Sequence, residues 1–137
     1  MTSRDPRAPG GSWDAKTLAL ENDAFRREIT TSRIAQLVVM TIPPGGEIGE
    51  EVHPDTDQIL LFVEGKGVAV LEGTMSPVGP DRLVFVPAGT RHNFRNTGDR
   101  ALRLVTVYAP PEHPPGTVHL TKAEADAAEG PQEPGVP

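Results

Sequence analysis

Proline and glycine cut this chain into short pieces. The 137 residues include 14 glycines and 15 prolines, more than a fifth of the total, spread between apolar runs rather than gathered in one block. A short run of Val, Ile, Leu and Thr stopped by a turn signal suits a strand better than a helix. The strongest is 34–42, β-branched and apolar, stopped by Pro43-Pro44-Gly45-Gly46. Further strands are expected at 49–53, 58–64, 67–71, 82–86, 92–95 and 102–108, with Glu64-Gly65-Lys66-Gly67 as a tight hairpin turn. Residues 18–27 read as a helical turn or, over 25–30, as a first strand. One late helix is expected over 121–128, where Thr121 and Glu124 form a capping box. The pattern predicts an all-β sandwich or closed barrel of jelly-roll kind with a short C-terminal helix.

The length suits one domain with one modest core. Residues 1–15 and 130–137 are rich in Pro, Gly and charge and are expected to be poorly ordered. The barrel is expected over 16–110 and a C-terminal extension with its helix over 111–129. A net charge of −6 argues against a nucleic-acid partner, which selects a basic face. The absence of cysteine excludes disulfides, thiolate metal ligands and cysteine nucleophiles, and fits a cytoplasmic protein. Residues 1–10 lack an apolar core of the signal-peptide kind, and the apolar runs 36–42 and 59–63 are too short to span a bilayer. No membrane partner is expected, and no phosphate-binding glycine loop is present.

Chemistry concentrates in three places. In Glu51-Val52-His53 the carboxylate and the imidazole are two apart, so on a strand they share a face. Gln58 opens the next strand after the turn at 54–57, and His92 follows the turn at Pro87-Ala88-Gly89.

These residues stand in two motifs that resemble those of the cupin superfamily. The family's first motif is Gly, five residues, His-x-His, three or four residues, Glu, six residues, Gly; here Gly45, Glu51-x-His53, Gln58 and Gly65 keep that spacing. The second is Gly, five residues, Pro-x-Gly, two residues, His, three residues, Asn; here Asp81, Pro87-x-Gly89, His92 and Asn96 keep it. The likeness covers roughly 34–108 and implies a cupin jelly-roll β-barrel. Three positions depart from the pattern: Glu51 for His, Gln58 for Glu, and Asp81 for Gly, a turn position where Asp tolerates unusual dihedrals.

The resemblance implies one divalent metal ion on Glu51, His53, Gln58 and His92. Two imidazoles, one carboxylate and one amide oxygen suit Fe, Mn, Ni, Co or Zn. The family's three His and one Glu carry one negative charge, and so does this set, moved to another corner. Asp57 rivals Gln58, but the count to Gly65 favours Gln58. Glu51 could instead act as a base if it is not a ligand. The implied function is a small metal-dependent enzyme acting on a polar, oxygen-rich small molecule by isomerisation, decarboxylation or oxygenation. The alternative is a non-catalytic small-molecule or sugar-binding module. Small cupins of this look are often likened to mannose-6-phosphate isomerase, although this chain supplies none of that enzyme's further residues. A homodimer is expected, through an outer sheet face or an exchanged strand at 25–30.

The remaining chemistry-bearing residues have blander readings. His113 and His119 lie in or after the rigid Pro-rich stretch 110–116, which is expected to wrap over the surface, or else to cover the barrel mouth. Arg91 and Arg95 flank His92 and are read as solvated. Phe62, Phe85 and Phe94 are expected to fill or line the barrel. Glu64, sharing the parity of Gln58, and Tyr108 are the nominees for a further polar group inside.

Overall fold

The computed structural model describes residues 10–129. The chain runs α1 (Ala15–Leu20), β1 (Arg26–Thr31), β2 (Gln36–Ile42), β3 (Asp57–Glu64), β4 (Gly67–Leu71), β5 (Thr74–Val78), β6 (Leu83–Val86), β7 (His92–Asn96), β8 (Leu102–Ala109), β9 (Val118–His119) and α2 (Lys122–Glu129). One sheet has the order β6-β3-β8-β2-β1-β9 and the other β5-β4-β7, a jelly-roll arrangement with the core between them. The sheets face each other without closing into one ring of strands, and every pairing is antiparallel. The expectation of poorly ordered ends falls mainly on residues 1–9 and 130–137, which lie outside the described residues.

Alternation along the strands sorts the interior into two zones. Leu60 and Phe62 on β3, Leu102 and Leu104 on β8, and Phe94 on β7 are fully buried and build an apolar floor. Toward one end of the same strands the inward positions turn polar: Gln58, Thr106, Tyr108 and His92. Gln58 pairs directly with Tyr108 in the β3–β8 ladder, so these polar positions lie side by side.

Two turns need their special residues. Gly65 has φ 93°, and a Cβ there would collide with the Ala101 backbone. Asp81, in place of the motif glycine, sits at φ 70°, the left-handed conformation that Asp accepts more readily than most residues. Asn96, the last residue of the second motif, is structural. Its amide donates to Ile42 O (2.9 Å) and Arg100 O (2.8 Å), and its oxygen accepts from Gly98 N (2.9 Å).

Several sequence expectations are corrected. Residues 49–53 form no extended strand; Glu51 makes a single bridge to His92, and Gly49, at φ 107°, breaks the run. β5 was not expected, because Thr74-Met75-Ser76-Pro77 lacks an apolar pattern. It is an edge strand, where Pro77 is tolerated for want of an N–H. β9 follows the stretch 110–116 and adds to the β1 edge. Phe85 is 55% exposed, since Val84 and Val86 take the inward positions of β6. Glu64 does not face inward either. The register shifts between Phe62 and Glu64, and the bulge turns Glu64 out to pair with Arg103 at 3.0 Å. Both readings of 18–27 hold in part, as α1 is followed by β1. The capping box holds in a shifted form: Thr121 Oγ1 accepts from Glu124 N (3.1 Å), while Glu124 Oε1 accepts from Leu120 N (3.0 Å).

Candidate metal centre

The two motifs meet through backbone hydrogen bonds. Glu51 N donates to His92 O (2.9 Å) and His92 N donates back to Glu51 O (3.0 Å), while Gly89 N donates to His53 O (2.8 Å). The Pro87-Ala88-Gly89 turn therefore does more than reverse the chain. It fastens the segment carrying Glu51 and His53 to the strand carrying His92. As a result Glu51, His53 and His92 each offer a ligand atom within 4.8 Å of the others. His53 Nε2 is 3.3 Å and His92 Nε2 4.0 Å from Glu51 Oε1.

The orientation of each ring is set on its far side. His92 Nδ1 donates to Thr90 O at 2.8 Å, which leaves Nε2 as the free nitrogen. His53 Nδ1 stands 3.2 Å from Glu112 Oε2, an ion-pair contact out of line for a hydrogen bond. Gln58 is 2% exposed, and its Nε2 donates to Thr106 Oγ1 at 3.1 Å. Its oxygen is thereby the unpartnered end. Asp57, the rival, is exposed, and its Oδ1 accepts from Ala88 N at 2.8 Å.

Electrostatics separate the two imidazoles. Burial disfavours the charged form of His53, but Glu112 and Glu51 outweigh it and raise its pKa to about 10. Burial lowers the pKa of His92, which is neutral at pH 7, and the Thr90 carbonyl opposes that only in part. Burial also raises Glu112, but the His53 contact dominates and holds it below the usual carboxylate value. Tyr108, fully enclosed, has its hydroxyl pushed above the ordinary phenol value by burial.

The residues fit a divalent ion. His53 Nε2, His92 Nε2 and Gln58 Oε1 are buried without a hydrogen-bond partner. Unpartnered buried polar atoms are rare, and an ion held with Glu51 between the two imidazole nitrogens accounts for those two. The donor set is nitrogen and oxygen only, suited to first-row divalent metals.

Two contributors escaped the sequence reading. Thr106 was visible in principle as a lone polar residue at an inward position among Leu102, Leu104 and Tyr108. Glu112 gave no comparable signal, because nothing in its spacing ties the chain after β8 to the barrel mouth. The stretch 110–116 does not simply wrap the surface. Buried Gln36 donates to His113 O (2.6 Å) and accepts from His113 N (3.0 Å) and Glu112 N (3.2 Å). His113 is 8% exposed and does not join the Glu51–His53–His92 group. Its Nδ1 is 3.3 Å from Glu129 Oε2, and its ring meets Tyr108 edge-on at 5.1 Å. His119 is beside Arg26, 3.3 Å from Nη1. Arg91 lies outside, 3.5 Å from Glu50, and Arg95 is exposed.

Comparison with known proteins agrees with this geometry. The family Cupin_2, described as a cupin domain, matches residues 38–108. YrkC of Bacillus subtilis (strain 168), an uncharacterized protein, is 42% identical over 115 residues, 80% of this chain. The chain spans 62% of the length of YrkC. CurC of Streptomyces cyaneus, named as a polyketide synthase, is 34% identical over 96 residues, 69% of this chain and 61% of CurC. The crystal structure of BH2720 from Bacillus halodurans superposes with a TM-score of 0.86 at 40% identity, covering 91% of this chain and 99% of that one.

Proposed function

The chain belongs to the cupin family, and on that premise we propose a metal-dependent enzyme that acts on a polar, oxygen-rich small molecule. One divalent ion, Fe, Mn, Ni, Co or Zn, is held by Glu51, His53, His92 and Gln58. The reaction class is isomerisation, decarboxylation or oxygenation. The observation that carries this reading is the convergence of a carboxylate with two imidazole nitrogens that are buried without a hydrogen-bond partner, and the Gln58 amide oxygen, buried and unpartnered too, supports it.

A divalent ion supplies Lewis acidity toward a carbonyl or carboxylate oxygen, and iron adds redox chemistry. The chain's own residues supply the setting. Phe62 and Phe94 close the floor below the donors, with the Phe94 ring 6.0 Å from His92, and keep water out from that side. Tyr108 keeps its proton at neutral pH and can donate it in a hydrogen bond to a substrate oxygen. Glu51, when not ligating, can accept a proton. CurC is named as a polyketide synthase, and polyketides are carbonyl-rich molecules of the kind such a site polarises.

A second reading, a non-catalytic ligand-binding barrel without metal, draws on one observation. His53 between Glu51 and Glu112 is already charge-compensated with no ion bound. Elemental analysis separates the two, using untagged protein purified without chelator, wild type beside His53→Ala. The enzyme reading expects about one metal per chain, lost in the variant. Wild-type protein that carries no metal and takes up none on titration leaves only the second reading.

A homodimer belongs to the same proposal. Ile59, Leu83 and Phe85 form an exposed apolar group on β3 and β6, and Ile59 and Phe85 are direct cross-strand partners. β6 is an edge strand with one side of its backbone unpaired. A second copy related by a two-fold axis would cover both the side chains and the edge. β1, considered for strand exchange, already lies between β2 and β9 of its own chain.

A further inference from the structure

Glu112 lies outside both motifs and outside every strand and helix of the barrel. Its carboxylate nevertheless reaches the centre, with Oε2 3.2 Å from His53 Nδ1. That placement is enforced rather than incidental. Gln36, 1% exposed, is itself fixed by donating to Thr31 Oγ1 at 2.9 Å. It then grips the backbone at Glu112 and His113 with three hydrogen bonds. The segment that delivers Glu112 is thus locked to β2 from inside the molecule.

The two imidazoles face one requirement. Each must turn Nε2 toward Glu51 and keep Nδ1 occupied. His92 meets it with the carbonyl of its own turn, Thr90 O at 2.8 Å. Among the described residues His53 has no aligned hydrogen-bond partner on Nδ1. Glu112 is the acidic side chain paired with that nitrogen. A carboxylate on the far nitrogen of a ligating histidine fixes the ring's tautomer and strengthens its donor nitrogen.

We propose that Glu112 is a positioning residue of the metal centre, holding the Nδ1 edge of His53 so that Nε2 is presented to the ion. The proposal rests on the metal-binding reading above. It adds a contribution from the chain beyond β8 to a site whose ligands all lie within the two motifs.

Zinc(II) affinity, measured by competition with a chromophoric chelator, tests it in wild type, Glu112→Ala and Glu112→Gln. Glu112→Ala is expected to weaken zinc about 10- to 100-fold. Glu112→Gln should recover part of that loss, since the amide oxygen offers Nδ1–H an acceptor in the place of the carboxylate. In ¹⁵N-labelled, zinc-loaded wild type the His53 ring should show a protected Nδ1 proton, and Glu112→Ala should lose it. Thermal unfolding of each metal-free variant reports any damage to the fold separately, and Glu112→Gln keeps the side chain's size should the alanine variant fail to fold. Wild-type affinity in Glu112→Ala, equal loss in both variants, or an unchanged His53 proton would each overturn the proposal. Wild type that binds no zinc would bring down the metal reading itself, and this proposal with it.

Discussion

Thr106 decides which end of Gln58 faces the barrel interior. Its hydroxyl donates to Ile59 O at 2.9 Å, so it can only accept from Gln58, and it takes the Nε2 hydrogen at 3.1 Å. The amide oxygen is left as the free end, the correct end for a metal or a substrate hydroxyl. Thr106→Val removes the acceptor at nearly constant volume and lets the amide turn over. Metal affinity should fall by about two- to ten-fold, equivalent to ~0.5–1.5 kcal/mol for one hydrogen bond. Chelator competition on the variant checks this, and unchanged affinity would remove Gln58 from the ligand set.

Metal uptake should release protons in a defined number. His53 carries a proton below about pH 10, whereas His92, its pKa lowered by burial, is neutral at pH 7. About one proton should therefore leave per ion bound near neutrality, and affinity should rise about tenfold per pH unit between pH 6 and 8. Calorimetry in two buffers of different ionisation enthalpy measures that number directly.

The metal-free protein should lose stability at both ends of the pH range. His53 has a raised pKa, so its contribution is complete below its unfolded value of 6.5 and disappears as pH climbs through about 10. Glu112 has a depressed pKa, so its contribution is complete above 4.5 and disappears as pH falls below that. Melting temperature against pH, recorded with chelator present, should form a plateau bounded on these two sides. Removing Glu112 should lower the plateau toward its flanks and flatten both of them together, because they report one contact.

Arg26 is 2% exposed, and Glu129, at 2.9 Å, supplies its counter-charge. Glu129→Ala would strand a buried guanidinium and should cost about 3 kcal/mol. Urea denaturation of the variant against wild type gives the value. A loss under 0.5 kcal/mol, the scale of a surface pair, would show that Arg26 reaches water.

Phe85→Glu should leave the fold intact and abolish the dimer. The side chain is 55% exposed, so the core loses little. Light scattering on wild type should give twice the chain mass and on the variant the chain mass alone. A monomeric wild type would sink the homodimer reading, whatever the variant does.

The parts legible in the sequence are those governed by short-range chemistry. Pro43-Pro44-Gly45-Gly46, Gly65 and Pro87-Ala88-Gly89 stop strands wherever they occur, and alternation set Leu60, Phe62 and Phe94 inward. The two motifs singled out Glu51, His53, Gln58 and His92, and the fold brings the first three-residue group of donors, Glu51, His53 and His92, to one point. Parity failed at Glu64 because a bulge resets alternation and leaves no mark in composition. At Phe85 size misleads: a large apolar residue reads as interior, but Val84 and Val86 hold the inward positions. Glu112 was out of reach for a different reason. Its partner is 59 positions away in the numbering, His53 to Glu112, and only tertiary contact through Gln36 reveals the pairing.

The clamp of Gln36 on His113 joins residues 77 apart, and the pair Arg26–Glu129 joins residues 103 apart. Contacts of such span close large loops, and that entropy must be met before the contact rewards it. The β2–β8 ladder meets most of it, because it already sets Tyr108 opposite Gln36. Glu112 follows Tyr108 by only four residues. Once the central sheet zips, the last support of His53 is therefore delivered at little further loop cost, and competence to hold an ion firmly comes with the barrel rather than after it.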